Sequence, residues 1–123
     1  MVLFRPVGLR ELELIAESGF TAFPPRLAHQ PIFYPVLNFE YAEQIARDWN
    51  TKDPDSGHCG FVTKFEIEDS YATQFEVRTV GASSHQELWV PAEQLSQFNR
   101  QIRGPIVIAA KYYGEQFDQP RGG

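Results

Sequence analysis

The chain has 123 residues and reads as one domain, large enough to bury a hydrophobic core. Its formal charge of -5 disfavours a nucleic-acid partner, and no apolar run reaches the length of a membrane span. The single cysteine excludes an internal disulfide, and the N-terminus lacks a signal-peptide pattern. These features predict a cytoplasmic location with no membrane partner, and a Cys59 that is a small buried residue rather than a nucleophile.

Strands and helices alternate in the first half of the chain. Residues 2–5 form a short apolar run that predicts a strand, and apolar spacing over residues 8–18 predicts a first helix. Prolines around residues 31–36 indicate a second strand at a sheet edge. Asn38 is a typical N-cap, and the helical pattern of residues 39–49 follows it.

Between the first helix and the second strand lies a loop stiffened by two consecutive prolines, Pro24 and Pro25. Such a loop can line a pocket or merely connect two elements. Arg26 and His29 are the polar groups that it carries.

Strands dominate the second half of the chain. Alternation of polar and apolar residues predicts three of them, over residues 59–68, 74–80 and 85–91. Residues 92–101 predict a third helix. Residues 106–110 are apolar without alternation, which predicts a central strand buried on both faces. The chain is therefore expected to be an α+β domain over residues 1–113, with a loose polar tail over residues 114–123.

The strand over residues 85–91 carries an unusual side. His85, Glu87 and Trp89 share one face of the pleat, so a carboxylate lies between an imidazole and an indole. The plain alternative is a solvent-facing glutamate on an edge strand. Arg5 and Tyr34 also lie on predicted strands, and both can converge with Glu87 on one cleft. The scattered histidines indicate no metal site.

Three short motifs, taken in order, carry a resemblance to a known family. They are Leu3-Phe4-Arg5, then Ile32-Phe33-Tyr34 followed by Glu40-Tyr41-Ala42-Glu43, and last the segment from Gln86 to Leu95. With them the chain resembles the ADP-ribosyltransferase-like superfamily from residue 3 to about residue 108. It is also similar to a group of small bacterial proteins labelled ADP-ribosylation/crystallin J1. The resemblance implies two small, mostly antiparallel sheets around a cleft, with about three helices.

The resemblance also implies NAD as a substrate and a role for each matching residue. Glu87 would stabilise the oxocarbenium-like state as nicotinamide leaves, and His85 would stand where relatives orient the acceptor. Contacts with NAD are implied for five residues, namely Arg5, Tyr34, Asn38, Tyr41 and Trp89. No metal is implied.

The chain departs from the family pattern in three places. It lacks the Ser-Thr-Ser strand motif of the Arg-type enzymes, it has Arg5 where the His-Tyr-Glu type has His, and His85 replaces the usual acidic or amide residue. The expected function is cleavage of NAD with transfer of ADP-ribose to an unknown acceptor or to water. The alternatives are a non-catalytic module that binds an ADP-ribose-containing ligand or a protein, and a plain interaction domain. Catalysis predicts a Glu87 that points into a cleft within reach of Arg5 and Tyr34.

Overall fold

A computed structural model describes residues 1–117 and shows an α+β fold with two small antiparallel sheets, which confirms the predicted class. The first half contains β1 (Val2–Val7), α1 (Leu9–Glu17), β2 (Ile32–Phe33) and α2 (Phe39–Asp48). The second half contains β3 (Cys59–Ile67), α3 (Asp69–Ala72), β4 (Glu76–Thr79), β5 (Gln86–Pro91), α4 (Leu95–Arg100) and β6 (Ile102–Tyr113). Short 3₁₀ turns lie at Asn50–Lys52, Pro54–Ser56 and Ala92–Gln94.

Each sheet has three strands, in the orders β1-β3-β6 and β2-β5-β4. All neighbouring strands run antiparallel. The strand β2 lies at an edge, as its prolines predicted, and the strand that carries Glu87 lies in the middle of its sheet.

Val36 joins the two sheets. Its backbone exchanges hydrogen bonds of 2.9 and 2.7 Å with Phe4 of β1, and on its other side it forms a bridge with Glu87 of β5. Directly paired residues of antiparallel strands point to the same side, so Phe4, Val36 and Glu87 share one face. The helix α2 covers this face.

The packing of α2 depends on small residues. Ala42 and Ala46 are fully buried against Val36 and Val62, which lets the helix approach the sheet closely. A Cβ at Gly60 would lie 2.4 Å from the carbonyl oxygen of Ala46, so only glycine fits there.

The opposite face of the sheets carries the larger core, which is rich in phenylalanine. Phe23 lies 5.1 Å from Phe33 and 4.9 Å from Phe65 between ring centroids, and Phe33 lies 5.5 Å from Phe98. These four rings are at most 3% exposed. Each buried phenylalanine side chain stabilises the fold by roughly 1.5–3 kcal/mol.

Three elements differ from the sequence predictions. The strand β1 continues through Pro6 to Val7, and residues 69–72, between two predicted strands, form a helical turn. The prediction of a central final strand is wrong. β6 is an edge strand, in which Ile106 is buried while Val107 is 44% exposed. Because β6 pairs with a strand on one side only, the side chains of this apolar run that point away from the core lie in solvent.

Cys59 is fully buried at the start of β3, which confirms its predicted place, and burial raises the pKa of its thiol. Within the predicted tail, residues 114–117 pack: the amide of Gly114 donates to the carbonyl of His58, and the Phe117 ring lies 4.7 Å from that of Tyr113. The rest of that tail, residues 118–123, lies outside the described residues. No helix within residues 1–117 has the length and apolar character to cross a membrane.

Candidate functional site

Glu87 lies in the middle of β5 and is only 7% exposed. The Tyr41 hydroxyl donates to its Oε2 at 2.6 Å, and the Trp89 indole nitrogen donates to its Oε1 at 3.0 Å. Each carboxylate oxygen thus has its own donor, and the orientation of the group is fixed. The alternative of a solvent-facing glutamate on an edge strand is wrong, because β4 and β2 flank β5 on both sides.

Asn38 places Tyr41 over this carboxylate. Its side-chain oxygen accepts a hydrogen bond of 2.7 Å from the backbone amide of Tyr41, which begins α2 as an N-cap. Its side-chain amide donates to the carbonyl of Ser84, just before β5. One asparagine therefore ties the first turn of α2 to the segment that leads into β5, and Tyr41 faces Glu87.

His85 completes what we call the Glu87 cluster, which consists of Tyr41, His85, Glu87 and Trp89. The rings of His85 and Tyr41 are stacked, with centroids 4.2 Å apart and planes 6° from parallel. The guanidinium carbon of Arg78 on β4 lies 4.1 Å from the Trp89 ring centroid, a cation–π contact. Arg78 pairs directly with Glu87 in the β4–β5 register.

The phenol of Tyr41 stays protonated in this surrounding. Burial raises its pKa above the ordinary value, and the hydrogen bond to Glu87 and the charge of that carboxylate raise it further. The nearby Tyr34 phenol adds a smaller effect in the same direction. Tyr41 is therefore a hydrogen-bond donor throughout the neutral pH range.

Arg5 belongs to a second group, which we call the arginine cluster: Arg5, Glu11, Arg26 and Tyr34. The Arg5 side chain is 7% exposed, and its Nε and Nη2 atoms donate to the two oxygens of Glu11 at 2.7 and 3.0 Å. The Arg5 guanidinium carbon also lies 4.8 Å from the ring centroid of Phe33 and 5.7 Å from that of Tyr34. Arg5 is therefore part of a buried, bidentate ion pair.

Arg26 approaches the same tyrosine from the loop before β2. Its guanidinium carbon lies 6.0 Å from the Tyr34 ring centroid, and its Nε donates to the carbonyl of Ile32 at 3.2 Å. Burial lowers the pKa of Arg26, and the positive charge of Arg5 lowers it further. The arginine cluster opens into a cavity of about 580 Å³, which we call the arginine cavity.

The residues that were expected around one cleft thus form two clusters. Alternation along β1 places Arg5 on the opposite side from Phe4, which shares its face with Glu87. Tyr34 lies between the clusters: it contacts Arg5, and it is one of the groups that raise the pKa of Tyr41. Ile45 of α2 lines the arginine cavity and also a second cavity of about 390 Å³ beside Tyr41 and His85.

Of the residues named from the sequence, the structure brings Tyr41, His85, Glu87 and Trp89 into one group, and Asn38 holds the backbone of Tyr41. Glu11, Arg78 and a role for Arg26 were not foreseen. Glu11 meets Arg5 across a strand-to-helix turn, and Arg78 meets Trp89 through strand register; neither contact leaves a periodic signal. The two prolines before Arg26 were the available signal, because they hold the loop extended.

Within residues 1–117 there is no group of three or more His, Cys, Asp or Glu side chains arranged to hold a metal ion. Comparison with known proteins found no matching family model, no matching curated protein and no matching solved structure. The likeness to the ADP-ribosyltransferase-like superfamily therefore stays an interpretation of short motifs. The function proposed below is based on the Glu87 cluster and the arginine cluster.

Proposed function

We propose that this protein is an ADP-ribosyltransferase-like enzyme that binds NAD and cleaves its nicotinamide–ribose bond, passing ADP-ribose to an acceptor or to water. The observation that carries the proposal is the buried Glu87 carboxylate, held by Tyr41 and Trp89 at the line where the two sheets meet. A carboxylate fixed in a largely water-excluded position supports chemistry in which positive charge develops next to it.

The proposal requires Glu87 to accept one further hydrogen bond, from a ligand. A carboxylate has about four lone-pair positions, and the two donors within the protein use one on each oxygen. A ribose hydroxyl can take one of those that remain. As nicotinamide departs, the positive charge on the ribose would then form beside an anion whose orientation needs no rearrangement, which lowers the barrier.

Tyr34 and His85 are the aromatic side chains on which the proposal places flat rings. The Tyr34 side chain is 39% exposed, so one part of its ring is open to a planar ligand such as nicotinamide. His85, stacked on Tyr41, lines the smaller cavity on the other side of Ile45. An acceptor entering that cavity would lie next to Tyr41 and His85.

A non-catalytic binding module is the second candidate, and a specific observation favours it. The charge of Arg5 is already matched by Glu11, and both oxygens of Glu87 already accept hydrogen bonds from the protein. In a module these groups would stabilise the fold, and the open faces of Tyr34 and Arg26 would bind an ADP-ribose-containing ligand without reaction.

The experiment compares wild type with Glu87→Gln, which keeps the shape of the side chain and removes its charge. NAD binding is measured by calorimetry, and nicotinamide release is followed by chromatography in the same samples. We expect release by wild type and a loss of about 10²–10³-fold in rate in Glu87→Gln, the size found when one electrostatic stabiliser is removed. The KM for NAD should change little.

Glu43→Gln is the matched control, because Glu43 also accepts a hydrogen bond from a tyrosine, Tyr112, but on the outer part of α2. Its release rate should equal that of wild type. Equal rates in wild type and Glu87→Gln contradict the catalytic role. Binding of NAD without release supports the module, and no binding at millimolar NAD rules out NAD chemistry.

A further inference from the structure

We propose that the arginine cavity binds the diphosphate group of a nucleotide and that Arg26, rather than Arg5, makes the principal contact. This inference deepens the proposed function and rests on it for the identity of NAD as the nucleotide.

Arg26 has donors to spare. Within residues 1–117 it forms no ion pair, and its one hydrogen bond runs from Nε to the carbonyl of Ile32. That bond anchors the guanidinium and leaves the Nη groups for a ligand. A guanidinium held in place by one bond and a stiff Pro-Pro segment loses little freedom on binding, and its fork matches phosphate oxygens.

Arg5 is less available. Its Nε and Nη2 atoms are both engaged by Glu11, and its side chain is almost fully buried. Its contribution to an anion is therefore chiefly the positive charge it adds to the site. The sequence motifs alone favoured Arg5. They do not show its ion pair with Glu11, because that pair forms only when α1 packs beside β1.

Positive charge exceeds negative charge around Tyr34. Two guanidinium carbons lie within 6.0 Å of its ring centroid, and among the described residues Glu11 is paired with Arg5 alone. The pKa of Arg26 is lowered by burial and by the charge of Arg5, which Glu11 and Tyr34 only partly offset. An anion next to Arg26 would relieve this repulsion.

The cavity also has an acidic part, formed by Asp53 and Asp55. Asp53 accepts hydrogen bonds from the Asp55 amide and the Ser56 hydroxyl, and neither aspartate is among the charges that shift the pKa of Arg26. The two aspartates therefore do not neutralise Arg26. A nucleotide fits this polarity, with phosphates beside Arg26 and hydroxyl groups beside the aspartates.

The test measures binding of ADP and of inorganic pyrophosphate by calorimetry, since neither contains the bond that the proposed reaction breaks. We expect both to bind wild type, and Arg26→Ala to weaken each about 10- to 100-fold, the range for a lost hydrogen bond between charged groups. Arg26→Lys keeps the charge but loses the forked guanidinium, so its affinity for each ligand should lie between those of wild type and Arg26→Ala. Circular dichroism and urea unfolding show whether each variant is folded.

Arg47→Ala is the control for net charge. Arg47 is an exposed arginine paired with Asp48, outside the residues that line the arginine cavity. Its removal should change affinity less than about threefold, because an exposed charge is screened by salt.

The outcomes separate this inference from the proposed function. The inference is overturned if wild type and folded Arg26→Ala bind ADP and pyrophosphate with equal affinity. It is also overturned if wild type binds neither ligand, even where nicotinamide release is seen. Tighter binding of citrate than of pyrophosphate overturns the phosphate assignment. Arg26-dependent binding of ADP without any nicotinamide release supports the inference and contradicts catalysis.

Discussion

Tyr41→Phe removes one hydroxyl and with it the 2.6 Å hydrogen bond to Glu87. A hydrogen bond to a charged group contributes about 1.5–3 kcal/mol. Glu87 is 7% exposed, so water replaces the lost donor poorly, while the bond from Trp89 remains. We therefore expect the free energy of unfolding to fall by about 2 kcal/mol, near the middle of that range.

Urea unfolding followed by tryptophan fluorescence measures the change. With a slope of about 1–3 kcal/mol per molar urea, a loss of this size lowers the midpoint by roughly 1 M. Tyr112→Phe is the matched control, because it also removes a tyrosine hydroxyl that donates to a glutamate, Glu43. The Glu43 side chain is 30% exposed, so water can substitute, and a loss below about 1 kcal/mol is expected.

A double-mutant cycle makes the test specific. When Glu87 is already Gln, removal of the Tyr41 hydroxyl should cost clearly less than in wild type, because the two groups interact directly. Equal losses for Tyr41→Phe and Tyr112→Phe would refute the reasoning that burial of Glu87 makes its hydrogen bonds strong. Additive losses in the cycle would refute the direct contact.

Two further predictions concern titration and reactivity. Burial and the bond to Glu87 raise the pKa of Tyr41 above 10.0, so the unfolded chain loses this proton first and the unfolding free energy falls as pH rises beyond about 10. Urea titrations on the two sides of that pH should show a shallower fall in Tyr41→Phe, and an unchanged slope would contradict the raised pKa. The thiol of Cys59 is fully buried and its pKa is raised, so a disulfide reagent should label the native protein only at the rate of its opening. Immediate stoichiometric labelling without urea would show that the thiol is accessible.

The fold class followed from periodicity, since α1, α2 and most strands were placed within a few residues of their bounds. The error at β6 has a physical cause. An apolar run without alternation indicates burial on both faces, but a strand at an edge can carry apolar residues in solvent, as Val107 does. Sequence spacing reports the character of residues and not the number of neighbours of a strand.

The candidate site was predictable in part. His85, Glu87 and Trp89 share a face because strand side chains alternate, and Asn38 with Tyr41 follows from helix capping. Strand alternation and helix capping act within a few residues, so they can be applied without knowledge of the fold. The expectation that Arg5 would join Glu87 depended on how distant segments meet, and the structure places Arg5 with Glu11.

By itself, the sequence determined the α+β class, the face that carries Glu87 and the cap that begins α2, because each depends on local backbone geometry. Only the tertiary structure decided which groups meet. The bridge at Val36 joins the two sheets and brings Glu87 within hydrogen-bond distance of Tyr41. The packing of α1 beside β1 pairs Arg5 with Glu11. Contacts between segments far apart in the chain depend on register and packing, which local residue patterns do not encode.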